Sequence, residues 1–164
     1  MNFANILFDN PAAADEAVAL VEEDRKATYA QLRDRAGRVS AALRELGIEK
    51  GDRVAILLSN RIEFVEIYLG VAAAGAVIVP LNTRLTPLEH VLLMRDAEPK
   101  VLFVSPAGAE TARAAREGLS GLNAVILLDV DADAGGYESF LAHAGSSRPV
   151  AALGADDPAV LLYT

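Results

Sequence analysis

The chain has 164 residues, a formal net charge of −8, 52% apolar residues, 5% aromatics and no cysteine. That balance excludes the basic face of a nucleic-acid binder and disfavours an anionic membrane surface. The missing cysteines rule out disulfides, thiolate catalysis and cysteine-based zinc sites. The length suits one domain or part of a larger one. Met1 to Asp9 lacks the basic start and apolar run of a signal peptide. The longest apolar stretch, Ile67 to Leu81, is shorter than the ~18 residues of a membrane span and is interrupted by Gly75 and Pro80. A soluble, cytoplasmic protein without a membrane span is expected.

In chain order, Glu16 to Glu22 reads as a strand, Asp24-Arg25 as a turn, and Lys26 to Thr28 as the return of a small hairpin. Thr28 with Gln31 forms a capping box for a helix whose apolar stripe is Tyr29, Leu32, Ala36, Val39, Leu43 and Leu46. Arg33, Asp34, Arg38, Arg44 and Glu45 fall on its solvent side, and Gly47 suits the left-handed C-terminal cap. Gly51-Asp52 is a turn, and Arg53 to Leu58 an apolar strand. Asn60 is the predicted cap of a second helix over Arg61 to Ala74, apolar nearly all round and therefore buried. Its small residues, Gly70 and Ala72 to Ala74, predict close packing against a sheet.

Gly75 ends that helix, and Ala76 to Val79 is a buried strand closed by Pro80. Thr86-Pro87-Leu88-Glu89 starts a third helix with a cap, a proline at its first position and a capping-box glutamate. This helix stops before Pro99. Then follow a strand over Lys100 to Val104, a polar surface helix over Gly108 to Glu117 and a strand over Asn123 to Leu128. An acidic loop spans Asp129 to Gly136, a short helix Tyr137 to Ala144, a linker Gly145 to Asp157 and a final strand Ala159 to Thr164. Continuous apolar strands alternating with helices predict an α/β fold, a doubly wound, mostly parallel sheet with helices on both faces.

Isolated motifs carry little chemistry. Gly70 to Gly75 has the glycine spacing of a Walker A loop, but Ala76-Val77 stands where Lys-Ser/Thr is needed. Asp129, Asp131 and Asp133 imitate an EF-hand opening, but Ala134 replaces the turn glycine and Phe140 the bidentate glutamate. A solvated acidic loop is expected there. His90 and His143 stand alone, His90 on the exposed side of its helix; Ser59 and Ser105 follow strands without a nucleophile elbow.

Five segments in order resemble one family. They are Thr28-Tyr29-Ala30-Gln31-Leu32, Gly51-Asp52-Arg53-Val54-Ala55, the run from Gly70 to Asn82, Asn82-Thr83-Arg84-Leu85-Thr86 with Glu89, and Asp157 to Thr164. Together they are similar to the adenylate-forming (AMP-binding) superfamily of acyl-CoA synthetases, aryl-CoA ligases, luciferases and peptide-synthetase adenylation domains. The N-x-R-L-T stretch leans towards the CoA ligases. The resemblance implies that residues 1–164 are the N-terminal subdomain of a larger AMP-forming ligase, ending where its phosphate loop begins.

The implied partners are a carboxylic acid, ATP, Mg2+ and CoA, none expected to bind tightly to this piece, which alone turns nothing over. The implied contacts are Thr164, at the start of the ATP phosphate loop, and Arg84, for a phosphate of CoA. A strand-end role for Thr164 and a surface or capping role for Arg84 stay open. No residue here is assigned catalysis or metal ligation. The alternative is a self-contained flavodoxin-like or receiver-like binding module without catalysis.

Overall fold

A computed structural model describes residues 4–10, 14–130, 136–142, 144–145, 151–154 and 156–163. Its elements are α1 (Asn5–Phe8), β1 (Val18–Glu22), β2 (Arg25–Thr28), α2 (Tyr29–Glu45), β3 (Arg53–Leu57), α3 (Ile62–Ala74) and β4 (Val77–Pro80). Then come α4 (Pro87–Ala97), β5 (Val101–Val104), a short 3-10 turn at Pro106–Gly108, α5 (Ala109–Gly118), β6 (Ala124–Leu127) and α6 (Tyr137–Ala142).

The main sheet is parallel with order β4-β3-β5-β6. Ala55 stands opposite Val79, and Ile56 opposite Phe103. Successive strand residues point to opposite faces, and both faces are apolar. Val54, Ile56, Ile78, Val101 and Phe103 pack with residues of α2, α3 and α6. Ala55, Leu57, Val79, Leu102 and Val104 pack with residues of α4 and α5. The doubly wound α/β fold is therefore observed.

The capping signals act as read. Gln31 donates its backbone N–H to the Thr28 hydroxyl and accepts from the Thr28 N–H, and Thr86 and Glu89 do the same for α4. Gly47 and Gly75 hold positive φ at 77° and 83° as helix ends require.

Other expectations are corrected. Asn60 does not cap α3. Its N-cap is Arg61, without a side-chain cap, and the Ile62 N–H is satisfied by Glu22 Oε2 at 2.9 Å from β1. Tertiary contact replaces the local cap. Gly70 packs not on the sheet but on α2, where an added Cβ would lie 2.5 Å from Val39 Cβ. Arg33, placed on the solvent side, reaches the Leu7 carbonyl and Asp15, whereas Leu46 is exposed.

The final strand shrinks to one parallel bridge, Val160 beside Ile78. Ile78 donates to the Ala159 carbonyl, and Leu161 donates to the Ile78 carbonyl. Tyr163 turns to α4, donating its hydroxyl to Asp96 Oδ2 at 2.7 Å.

Candidate functional site

Open α/β sheets bind ligands outside the carboxyl ends of their strands, where the order reverses. Here the reversal lies between β3 and β5, since α3 leads from β3 to one side and α5 from β5 to the other. The loops leaving the four strands carry two cations, Arg61 and Arg84.

They are in opposite states. Arg61 is occupied: Nε donates to Glu63 Oε2 at 2.7 Å, and both terminal nitrogens donate to Asp129 at 2.7 and 2.8 Å. Arg84 is exposed, and its guanidinium has no hydrogen bond or ion pair among the described residues. It is the one cation of these loops free to meet an anionic ligand.

The loop that carries Arg84 is well determined. Asn82 Oδ1 accepts from the Arg84 backbone N–H at 3.0 Å, and the Asn82 carbonyl accepts from Leu85 at 3.1 Å. Thr86 donates its N–H to Glu89 Oε2 at 2.7 Å. Hydrogen bonds from the Thr86 backbone and hydroxyl lower the Glu89 pKa. Beside this loop runs a largely apolar groove of about 610 Å³, lined by Leu81, Asn82, Leu85, Leu92, Leu162 and Tyr163 among others. Burial, with the hydrogen bond to Asp96, pushes the Tyr163 phenol up to about 12.

Asn82 and Leu85, which flank Arg84, thus share a groove with Tyr163, the residue before Thr164. Thr164 itself, like Asp131, Asp133, Ala134 and His143, lies outside the described residues.

Two features escaped the sequence reading. His90, expected on the exposed side of its helix, is only 3% exposed. It faces α5, with Nδ1 2.9 Å from the Thr111 hydroxyl and Nε2 2.9 Å from the Asn82 carbonyl. A buried polar group without partners costs free energy, and here both ring nitrogens are satisfied. The signal available in sequence was Thr111, a lone hydroxyl on the apolar stripe of α5.

The second is an ionic cluster joining β1, β2, α2, α3 and α6. Glu63 pairs with Arg25 and Arg61, and Glu66 with Arg35 at 2.6 Å and the Tyr137 hydroxyl at 2.9 Å. Arg35 also holds Glu138. Burial would raise the Glu63 carboxyl, but Arg25 and Arg61 hold it down at about 2. For Glu66 burial prevails over Arg35, and its pKa is raised. Burial also raises the Tyr137 phenol well above its ordinary value, with Glu66 adding to the shift.

Asp129, expected in a solvated loop, is exposed there and is also held by Arg61, which lowers its pKa. Each carboxylate of the cluster is paired with an arginine, so it reads as a fastening of the fold. Among the described residues no group of His, Asp or Glu is arranged to hold a metal ion, and no helix is long and apolar enough to cross a membrane.

Comparison with known proteins gives a consistent result. A family model described as AMP-binding enzyme matches residues 7–164. The chain is 38% identical to a substituted octahydroindenyl-propanoyl:CoA ligase of Mycobacterium tuberculosis, over 94% of this chain and 33% of that protein. It is 32% identical to a 4-hydroxybenzoate–CoA/benzoate–CoA ligase of Rhodopseudomonas palustris, over 90% of this chain and 28% of that protein. The crystal structure of the anthranilate CoA ligase AuaEII with anthranoyl-AMP superposes with a TM-score of 0.91 at 26% identity, covering 100% of this chain and 31% of that one. The chain thus spans about a third, or less, of the length of these relatives.

Proposed function

Because this chain belongs to the AMP-binding enzyme family, we propose that residues 1–164 are the N-terminal part of the adenylate-forming domain of an acyl- or aryl-CoA ligase. The whole enzyme would join a carboxylic acid to CoA in two steps. The carboxylate attacks the α-phosphate of ATP, forming an acyl-adenylate and releasing pyrophosphate, with Mg2+ assistance. The CoA thiol then displaces AMP to give the thioester.

The observation that carries this reading is the family match along nearly the whole chain, with relatives named as CoA ligases. The strand order alone is shared with flavodoxin-like sheets, so topology does not separate the ligase from the binding-module alternative. The test is carboxylate-dependent ATP–pyrophosphate exchange by the full-length protein, across fatty and aromatic acids, followed by CoA thioester formation. No exchange with any acid would overturn the reading.

The residues present fit part of the substrate set. An unpaired, exposed guanidinium on a hydrogen-bonded turn suits one phosphate of CoA, since arginine binds phosphate with a fixed fork of donors. A triphosphate in its transition state needs a dense set of N–H groups and cations, and Arg84 alone cannot supply it. We therefore assign ATP contact in this segment to Thr164 only, as the first residue of a phosphate loop.

Two outcomes follow. The isolated 164-residue chain forms no acyl-adenylate above background, and detectable adenylate from the purified chain would refute that. In the full-length protein, Arg84→Ala raises the CoA KM by about tenfold or more, the worth of a charged hydrogen bond, and leaves the ATP KM unchanged. An unaltered CoA KM would remove Arg84 from the site.

A further inference from the structure

We infer that His90 is a positioning residue, which fixes the Asn82–Leu85 turn from beneath and so sets the direction in which Arg84 leaves it. The link from turn to CoA rests on the reading that Arg84 meets a CoA phosphate; the link from His90 to the turn does not.

The chemistry of the partners sets the state of the ring. A carbonyl oxygen only accepts, so the contact of 2.9 Å to the Asn82 carbonyl requires a proton on Nε2. In the neutral ring Nδ1 then accepts, and the Thr111 hydroxyl is its donor at 2.9 Å. The opposite tautomer would set a nitrogen lone pair against a carbonyl oxygen. His90 is 3% and Thr111 2% exposed, so the bond between them is shielded from water, while the bond to the Asn82 carbonyl is only partly buried.

The Asn82 carbonyl accepts twice, from His90 and from the Leu85 N–H that closes the turn. One imidazole therefore joins three elements: the loop after β4, helix α4 and helix α5. The turn lies between this buried anchor and the Thr86–Glu89 capping box, with Arg84 at its exposed middle. Holding a binding side chain in place before the ligand arrives removes part of the ordering cost.

The test uses the full-length protein and three variants: His90→Leu, which removes both bonds at similar bulk; His90→Gln, whose amide can donate and accept in the same roles; and Arg84→Ala. His90→Leu is expected to raise the CoA KM about three- to tenfold, leave the ATP KM and kcat near their starting values, and speed exchange of the Leu85 amide. His90→Gln restores most of this. In the Arg84→Ala background His90→Leu adds nothing to the CoA KM, because it acts through Arg84. Nitrogen-15 spectra of the histidine show the proton on Nε2.

If Arg84→Ala raises the CoA KM while His90→Leu changes neither KM nor Leu85 exchange, the inference is overturned. If Arg84→Ala has no effect, the CoA reading fails by itself. Leu85 exchange then decides whether His90 holds the turn: faster exchange in His90→Leu upholds it and unchanged exchange refutes it. Should His90→Leu fail to fold, Thr111→Val and the tautomer spectrum decide instead, and a proton found on Nδ1 refutes the assignment.

Discussion

Gly70→Ala is expected to destabilise the helix pair α2–α3 by about 1–3 kcal/mol, the usual cost of overpacking. At an exposed helical site the same exchange would stabilise by roughly 0.5–1 kcal/mol, because alanine loses less backbone entropy than glycine. The sign reverses because of what the new methyl meets. An ideal Cβ on Gly70 lies 2.5 Å from Val39 Cβ, 2.6 Å from Val39 Cγ1 and 2.8 Å from the Ala36 carbonyl oxygen.

None of these atoms is the loose end of a long side chain. Two belong to a β-branched residue with restricted rotamers, and the third is helix backbone. Relief requires the helices to separate, and both faces are built on buried residues such as Leu43, Ile67 and Val71. Gly118 is the control. A Cβ there would meet Arg95 and Val91 at 3.6 and 3.7 Å, ordinary contact distances, so Gly118→Ala should be neutral or mildly stabilising. Amide exchange across α2 and α3 reads the difference. A Gly70→Ala protein with unchanged protection there would show that the helices can part at no cost.

The elements whose shape is set locally were legible in the sequence. Thr28 with Gln31, Thr86 with Pro87 and Glu89, and Gly47 and Gly75 at helix ends are settled within one turn of chain, and each appears as read. The strands were legible because both faces of a parallel sheet are buried, which leaves unbroken apolar runs.

What escaped was non-local. Glu22 fills the role expected of Asn60 from forty residues away. His90 is buried because α5 lies over it, and nothing in the spacing of α4 shows that cover. Asp129 finds Arg61 across the end of the sheet. Arg84 stands out in the sequence through the N-x-R-L-T resemblance and its place after the strand ending at Val79. The structure adds that the Arg84 guanidinium has no protein partner among the described residues, while that of the other arginine of these loops does.

Arg35→Met should be the most damaging single change in the ionic cluster, costing about 3–5 kcal/mol near neutral pH. Glu66 is 2% exposed and rests on two partners, Arg35 at 2.6 Å and the Tyr137 hydroxyl at 2.9 Å. Without Arg35 an ionised carboxylate stays in the core with one neutral donor, and breaking such a pair costs far more than replacing both members. The double variant Arg35→Met with Glu66→Gln should therefore recover much of the loss.

The pH dependence gives an independent check. Burial already raises the Glu66 pKa above 4.5 with Arg35 in place, so the folded state takes up a proton before the unfolded chain does. As pH falls through that raised value, Glu66 alone favours folding, and losing Arg35 strengthens the effect. The Arg35→Met defect should shrink on moving from pH 8 towards pH 5.

Glu63 has the opposite sign. Its pKa is depressed from 4.5 to about 2 by Arg25 and Arg61 against burial, so its contribution is complete above 4.5 and lost as pH falls towards 2. Asp129, lowered by Arg61, acts in the same direction below 3.8. Urea unfolding of wild type and variant across this range separates the two groups. A defect independent of pH between 8 and 5 would mean that Glu66 keeps one protonation state across that range, and would refute the account in which protonation relieves an unbalanced buried charge.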